Sequence, residues 1–442
     1  MKKFIRVMLY LTLVFLFVNN KVDSWCIPLI IIDTVAIDGI LSKYGFVNNL
    51  SKYLVLATFW ISTFFMPAFH LASDTYLMEI TSIDYVHMIQ FGSIVMLISV
   101  LSFFGVGKVG STNAYAPSNT TVRPIPDAVV TPFFVMAFAM SIFAYSIGLG
   151  RMGGDEVRLP FHLAGIINIA KSALLPGLFA IYVENKIRLG TMPAKIYFVL
   201  FFIWSVLEVF VLLSKSILVW NFVPVFFIIY LYKRPPLKQI IRYAVPIFAI
   251  FMVLYPLIGA MRYTSHESGS FSEMVKSARV KSAEDAAESN ENPLIAPLNR
   301  SFKISQYAED YYVVSRDQLF DFSKVPVLLA VGGSQVYQTF IVEGYPKGIN
   351  HSSGTTGLTD PLLHGGYGLC FIMIVVLFFF ARYIDKFYAT GRYSVFIFLF
   401  TLLWLFTAMV NISNLYNAVG MQNILVKLIV IYLAIKYNHR KV

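Results

Sequence analysis

Apolar runs of about 20 residues recur along this chain from end to end, and a run of that length is what a helix needs to cross the hydrocarbon core of a bilayer. They fall at 5–19, 26–41, 53–72, 87–106, 129–149, 161–183, 196–213, 216–232, 243–260, 363–383, 393–411 and 421–437. The fold class expected is therefore all-α and polytopic, with about 12 transmembrane helices. Length alone, at 442 residues, would suggest three soluble domains. That prior fails here: 57% of residues are hydrophobic, 13% are charged and the mean hydropathy is +0.69, which excludes a soluble globular protein.

The formal net charge is +11, yet the basic residues stand in short clusters between the runs rather than along one polar face. That pattern orients a chain in a bilayer and argues against nucleic acid as a partner. Assigned to alternate sides of the membrane, 20 Lys and Arg residues fall on one side, from Lys2, Lys3 and Arg6 to Lys436, Arg440 and Lys441. The short loops opposite hold only Lys21, Arg151, Arg158 and Lys215. Both termini are then expected in the cytoplasm. The second run carries Asp33 and Asp38, and an intramembrane carboxylate costs at least about 2.5 kcal/mol, so this helix is expected to lie partly against protein or water. It is kept because its loss would turn Met1-Lys-Lys outward. The N-terminus has the layout of a signal peptide, but no small-x-small site follows Val18, so an uncleaved first helix is expected. Cys26 and Cys370 are too few for a disulfide or metal framework and read as packing residues.

Three parts follow: a bundle of about nine helices over 1–260, a large extracytoplasmic loop over 261–362, and about three C-terminal helices over 363–442. The loop holds nine basic and twelve acidic residues and so adds no positive field of its own. Apolar spacing predicts short helices over 271–288 and 301–322, and 325–342 is apolar enough to lie on the membrane surface or re-enter it. Residues 282–292, rich in Ala, Glu, Asp and Asn, are the flexible piece. No repeat of fixed period is visible, and the halves do not read as inverted copies, which weighs against a duplicated transporter.

Chemistry-bearing residues concentrate on the outer side. The stretch from Glu343 to Leu369 combines His351, His364 and Asp360 with hydroxyls and many glycines, just before a helix enters the membrane. Two readings stand for it. Glycines let backbone approach a ligand closely and a histidine can take a proton near neutral pH; equally, such a stretch makes an interfacial turn with hydrogen-bonded histidines. Arg262 follows the ninth run directly and either grips a phosphate bidentately or snorkels to lipid headgroups. Lys215 stands in the tight turn Leu213-Ser-Lys-Ser, a lone cation among cation-poor outer turns. Arg151 and Arg158 bracket Asp155 and Glu156, where a local salt-bridge cluster competes with a binding role. Lys171, Glu208 and Lys427 are ionisable groups inside runs, marking a polar interior or helix-locking pairs. There is no P-loop, HExxH, GxSxG or Asp-x-Asp, so a cytoplasmic ATPase or a nucleotide-sugar enzyme is disfavoured, and neither a metal nor a cofactor is expected.

The layout resembles the bacterial O-antigen polymerase family. The resemblance rests on many spans, one large outer loop late in the chain, the Ser-Lys-Ser turn before an apolar run, and Asn350-His-Ser followed by Gly365-Gly-Tyr-Gly-Leu. It covers 130–383 as an arrangement but only short patches by identity. Arginine often stands in the family where Lys215 stands here, and an ammonium lacks the planar two-point contact of a guanidinium. O-antigen ligases are similar too, so His351 does not separate the two. The resemblance implies a fold of the GT-C glycosyltransferase type and a multi-pass enzyme of the bacterial inner membrane with its large loop in the periplasm. The implied partners are an undecaprenyl diphosphate-linked oligosaccharide, the lipid bilayer and a chain-length regulator protein. By the same resemblance His351 and Arg262 are catalytic, while Lys215, Arg279, Arg300, Arg151, Arg158, Asp360 and His364 bind substrate. A flippase of lipid-linked sugars and a non-catalytic assembly subunit are the competing classes.

Overall fold

Inside lipid a helix satisfies its own backbone, so even runs rich in Ile, Val and Phe fold as helices there. The computed structural model describes residues 2–18, 26–44, 49–65, 67–68, 82–107, 124–149, 170–214, 216–233 and 358–404, with isolated positions between and beyond. The elements are α1 (Lys2–Val18), α2 (Cys26–Lys43), α3 (Leu50–Trp60), α4 (Ser82–Gly105), α5 (Asp127–Ser146), α6 (Leu175–Arg188), α7 (Lys195–Leu212), α8 (Ser216–Lys233), α9 (Thr359–Ala389) and α10 (Tyr393–Trp404). Two π-helical turns, Ile61–Phe65 after α3 and Ala170–Leu174 before α6, each precede a proline by two residues, Pro67 and Pro176. Proline lacks an N–H and crowds the carbonyl four residues back, and widening the preceding turn relieves both.

Among the described residues, Asp127–Ser146, Lys195–Leu212 and the His364–Ala389 part of α9 are long and apolar enough to cross a membrane. Their surfaces agree: on α5, Val129, Val135 and Ile142 are 60–65% exposed, positions that a helix in water would make polar. The chain is a helical, membrane-embedded protein. The helices expected at 243–260 and 421–437 and between 271 and 342 lie outside the described residues, isolated positions apart.

Packing divides the helices into two groups. In one, α1 packs on α2, α2 on α4, α3 on α4, and α9 on both α3 and α4; in the other, α5 packs on α7, and α8 on α6 and α7. α10 joins them, touching α6 and α8 on one side and α9 and α3 on the other. An aromatic seam fills the second group: Phe179 stacks on Phe201 with centroids 4.3 Å apart, and Phe134, Tyr182, Trp204 and Phe222 continue it edge-to-face or tilted. Lipid tails compete with any apolar contact, so this seam holds by close packing and ring geometry, at about 0.5–1.5 kcal/mol per aromatic pair.

One end of the bundle is stitched by polar side chains. Arg6 Nε lies 2.5 Å from Asp38 Oδ1, tying α1 to α2. Tyr53 Oη donates to the Ile40 and Tyr44 carbonyls at 3.0 and 3.1 Å, tying α3 to the end of α2. Lys52, fully buried, donates to the Gly107 carbonyl at 3.0 Å and lies over the Phe103 ring. The start of α3 has no side-chain cap from Asn49; instead Asp385, near the end of α9, accepts the Ser51 N–H at 2.9 Å. Asn185 accepts the Ile125 N–H at 3.0 Å, and Lys186 pairs with Asp127 at 2.5 Å. Glu184 does the same for α10 that Asp385 does for α3: its carboxylate accepts the Tyr393 and Ser394 N–H groups at 3.0 Å, the Ser394 hydroxyl, and Tyr232 Oη at 2.6 Å. Two buried carboxylates thus cap helices to which they do not belong.

Candidate functional site

The sequence singles out a set of positions for chemistry, and those that the structure describes lie near the opposite end. Of these, His364 is described in full and Asp360 as helical backbone in the first turn of α9. Arg151, Arg158, Lys215, Arg262, Arg279, Arg300 and His351 lie outside the described residues. So does Lys427.

His364 is buried, 6% exposed, and stands immediately before a break in α9. The break is the glycine pair: Gly365 has φ −149° and ψ 18°, Gly366 has φ 59° and ψ −159°. The Gly366 conformation is one that side-chain-bearing residues rarely adopt. Gly365 is required for a different reason, since a Cβ there would meet Leu369 Cβ at 2.6 Å. The helix is consequently two pieces, a short one carrying Asp360 and His364 and a long one beginning at Tyr367. Tyr367 is half exposed and its ring tilts against Phe91 of α4, centroids 6.0 Å apart, which seats the break beside the first half of α4.

The second group holds a buried polar cluster near the same end. Lys171, in the π-helical turn before α6, places Nζ 3.2 Å from Glu208 Oε2 of α7, with the two side chains 0% and 2% exposed. The Ser141 hydroxyl of α5 donates to Glu208 Oε1 and accepts Trp204 Nε1 at 3.1 Å. One turn of α7 further in, Ser205 Oγ accepts Asn221 Nδ2 of α8 at 3.1 Å. Lys171 and Glu208 are ionisable in the sequence but acquire each other only in the fold; Ser141 and Trp204 carry no sequence signal beyond being polar atoms in apolar runs.

Just past Glu208, α7 ends on Leu213, which adopts φ 48° and ψ 40°. It is the one non-glycine with positive φ among the described residues. The Ser214 N–H closes the end by bonding the Val209 carbonyl at 3.2 Å, a Schellman-like stop in which a leucine takes the place usual for glycine. A left-handed leucine costs about 1–2 kcal/mol, offset here by complete burial of its side chain. The residues that follow are Ser214-Lys215-Ser216.

Asp33 and Asp38, the two carboxylates in the second run, separate clearly. Asp38 pairs with Arg6, whereas Asp33 is fully buried and neither of its oxygens has a hydrogen-bond partner. Among the described residues no three His, Cys, Asp or Glu side chains converge. Compared with known proteins, the chain matches no family model, no curated protein and no solved structure.

Proposed function

We propose that this chain is a membrane glycosyltransferase that polymerises a surface polysaccharide. It transfers an undecaprenyl diphosphate-linked glycan onto another lipid-linked repeat unit at the periplasmic face of the bacterial inner membrane, with both termini in the cytoplasm. The observation that supports this reading best is the break of α9 at Gly365 and Gly366 with His364 buried against it, since it opens helix and backbone where the glycine- and histidine-rich stretch reaches the bundle. In the reaction the bond from the anomeric carbon to the diphosphate oxygen breaks, a bond from that carbon to an acceptor hydroxyl forms, and undecaprenyl diphosphate leaves with the electron pair. The hydroxyl proton passes to His351. Arg262 and Lys215 meet the diphosphate and stabilise the charge that develops on it, with Arg279 and Arg300 as further cations from the loop. Arg151, Arg158, Asp360 and His364 line the path of the sugars.

Cells lacking the chain are expected to carry one repeat unit per lipid core; uncapped core would point instead to a ligase or a flippase. Purified His351→Ala is expected to fold and to lose chain extension on a defined lipid-linked substrate, and wild-type product lengths would remove His351 from the mechanism. A flippase is the second reading, favoured by the buried Lys171–Glu208 pair. It predicts mild effects of substitutions in 262–357 and severe loss on altering Lys171 or Glu208, with uncapped core as the cellular phenotype.

A further inference from the structure

Asp33 of α2 is fully buried, and neither of its oxygens has a hydrogen-bond partner. Arg6, the cation that α1 brings against α2, is taken by Asp38. The depth of Asp33 follows from register. Tyr44, whose N–H continues α2 by bonding the Ile40 carbonyl at 2.9 Å, meets Phe103 and Phe104 of α4 edge-on, with centroids 5.4 and 5.6 Å apart. Both helices reach this contact with their last turns and pack along each other, so they run in the same direction. Asp33 precedes Tyr44, and Ser93 precedes Phe104, by the same eleven residues, about three turns or about 16.5 Å. Asp33 and Ser93 therefore share the faces of that contact and stand level, near the middle of a hydrocarbon core about 30 Å thick.

The hydroxyls at this level are already spent. Ser93 Oγ donates to the Ile89 and Gln90 carbonyls at 3.2 and 2.8 Å, Thr34 Oγ1 to the Ile30 carbonyl at 2.7 Å, and Thr12 Oγ1 of α1 to the Met8 carbonyl at 2.9 Å. Each gives its proton to its own helix. An ionised carboxylate here would have neither cation nor donor, and a bare charge is what a membrane interior tolerates least. A metal cation would need several oxygens converging on it, whereas a proton needs one. If α2 were held by packing alone, a leucine would serve at this position; an ionisable residue inside the membrane marks a site of ion traffic.

We propose that Asp33 is a proton-binding site of the membrane interior. The packed bundle is its loaded state, and the carboxyl gives up its proton when α2 parts from α4 and water reaches it. Release breaks one O–H bond, leaves the electron pair on the Asp33 oxygen and hands the proton to water. The packing of α2 on α4 is thereby tied to pH, whatever the chain catalyses. Of the other titratable groups on the helices packed against α2, Tyr10 of α1 is half exposed. The side chains of Lys2 and Lys3 of α1, and of Asp84, Tyr85 and His87 of α4, lie outside the described residues.

The test uses purified, lipid-reconstituted protein, with Asp33→Asn and Asp33→Leu as references. The leucine brings no polar atom, so a folded reference remains if the amide variant does not fold. The first readout is the infrared difference between wild type and reference near neutral pH, at the carbonyl stretch of a protonated carboxyl. The second is the rate at which N-ethylmaleimide modifies Cys26, buried on the same face of α2 about two turns from Asp33. That rate is taken as a ratio to the reference, so that the ionisation of the thiol itself cancels. The proposal predicts the carboxyl band in wild type, and a Cys26 ratio near one in mild acid that rises several-fold in mild alkali. Absence of the band overturns the proposal. A band with a ratio that stays constant across pH upholds the bound proton and overturns its release by parting of α2 from α4.

Discussion

At the scale of single residues, the buried carboxylates differ in how much depends on them. Glu184 serves two backbone N–H groups of α10, a serine hydroxyl and the Tyr232 hydroxyl, and it is 4% exposed. Glu184→Ala leaves those donors facing apolar surroundings, and each orphaned buried donor costs about 1–3 kcal/mol. Some relax toward water at the bundle end, so the expected loss is about 3 kcal/mol, measured as reversible unfolding in mixed micelles. Glu184→Gln keeps one acceptor oxygen and the shape of the side chain, and about 1 kcal/mol is expected. Tyr232→Phe removes one hydroxyl, whose single proton is shared between Glu184 and the Gly391 carbonyl, while the cap of α10 survives, so it is expected to fall at or below the Gln variant. Equal losses for all three would mean that the cap contributes nothing of its own.

At the scale of elements, α9 sets backbone conformation against side-chain room. Gly366→Ala meets no atom within 4 Å, yet forces a side chain into φ 59°, so its whole cost is conformational, about 1–3 kcal/mol. Gly368→Ala also meets nothing within 4 Å but sits in ordinary helix, where alanine is the better former, so a neutral to roughly 1 kcal/mol stabilising effect is expected in the same unfolding assay. Equal effects at the two positions would show that α9 is not broken in the membrane. The break was not read in the sequence, where the glycines stood for a close approach to a ligand or an interfacial turn at the start of the run; in the fold a further turn of helix precedes them, which makes the pair a break within α9. The run itself was legible only in part: α9 extends from Thr359 to Ala389, past both limits of 363–383, since hydropathy senses the lipid-facing stretch and not the polar turns that continue the helix through Arg382, Asp385 and Lys386. Likewise the run at 53–72 gives α3 only to Trp60, because Pro67 widens the turn after it. Partnerships were not legible at all. Periodicity tells which face a residue occupies and is silent on what meets that face, so Ser141 and Glu208, 67 residues apart, or Glu184 and Ser394, 210 apart, could be joined only by the packing. For the candidate site, the residues that the sequence ranks highest fall in 262–357, outside the described residues, and what the fold adds is the setting of His364 at the break of α9.

At the scale of the whole molecule, the polar stitching makes a statement about sidedness that the charge count alone does not. The starts of α1, α3, α5 and α10 meet the ends of α2, α4, α6, α8 and α9 through Arg6–Asp38, Lys52–Gly107, Asp385–Ser51, Asn185–Ile125 and the Glu184 cluster, so these chain positions share one end of the bundle. Flanking Lys43, Lys186, Arg188, Lys233 and Arg392 belong to that end, the one that the positive-inside rule would turn to the cytoplasm. The start of α9, at Thr359, lies at the other end. Labelling can decide the orientation with little engineering, because both native cysteines, Cys26 and Cys370, are buried and are expected to resist a bulky reagent. Met192→Cys, on the exposed connection between α6 and α7, is expected to resist a membrane-impermeant maleimide in intact cells and to react once the membrane is opened. Ser282→Cys, in the acidic and alanine-rich stretch of the long segment, is expected to react in cells whose outer membrane alone is permeabilised. The opposite pattern, Met192→Cys labelled from outside and Ser282→Cys protected, would place the cation-rich end in the periplasm and the histidine-rich segment in the cytoplasm, and would overturn the proposed reaction at the periplasmic face.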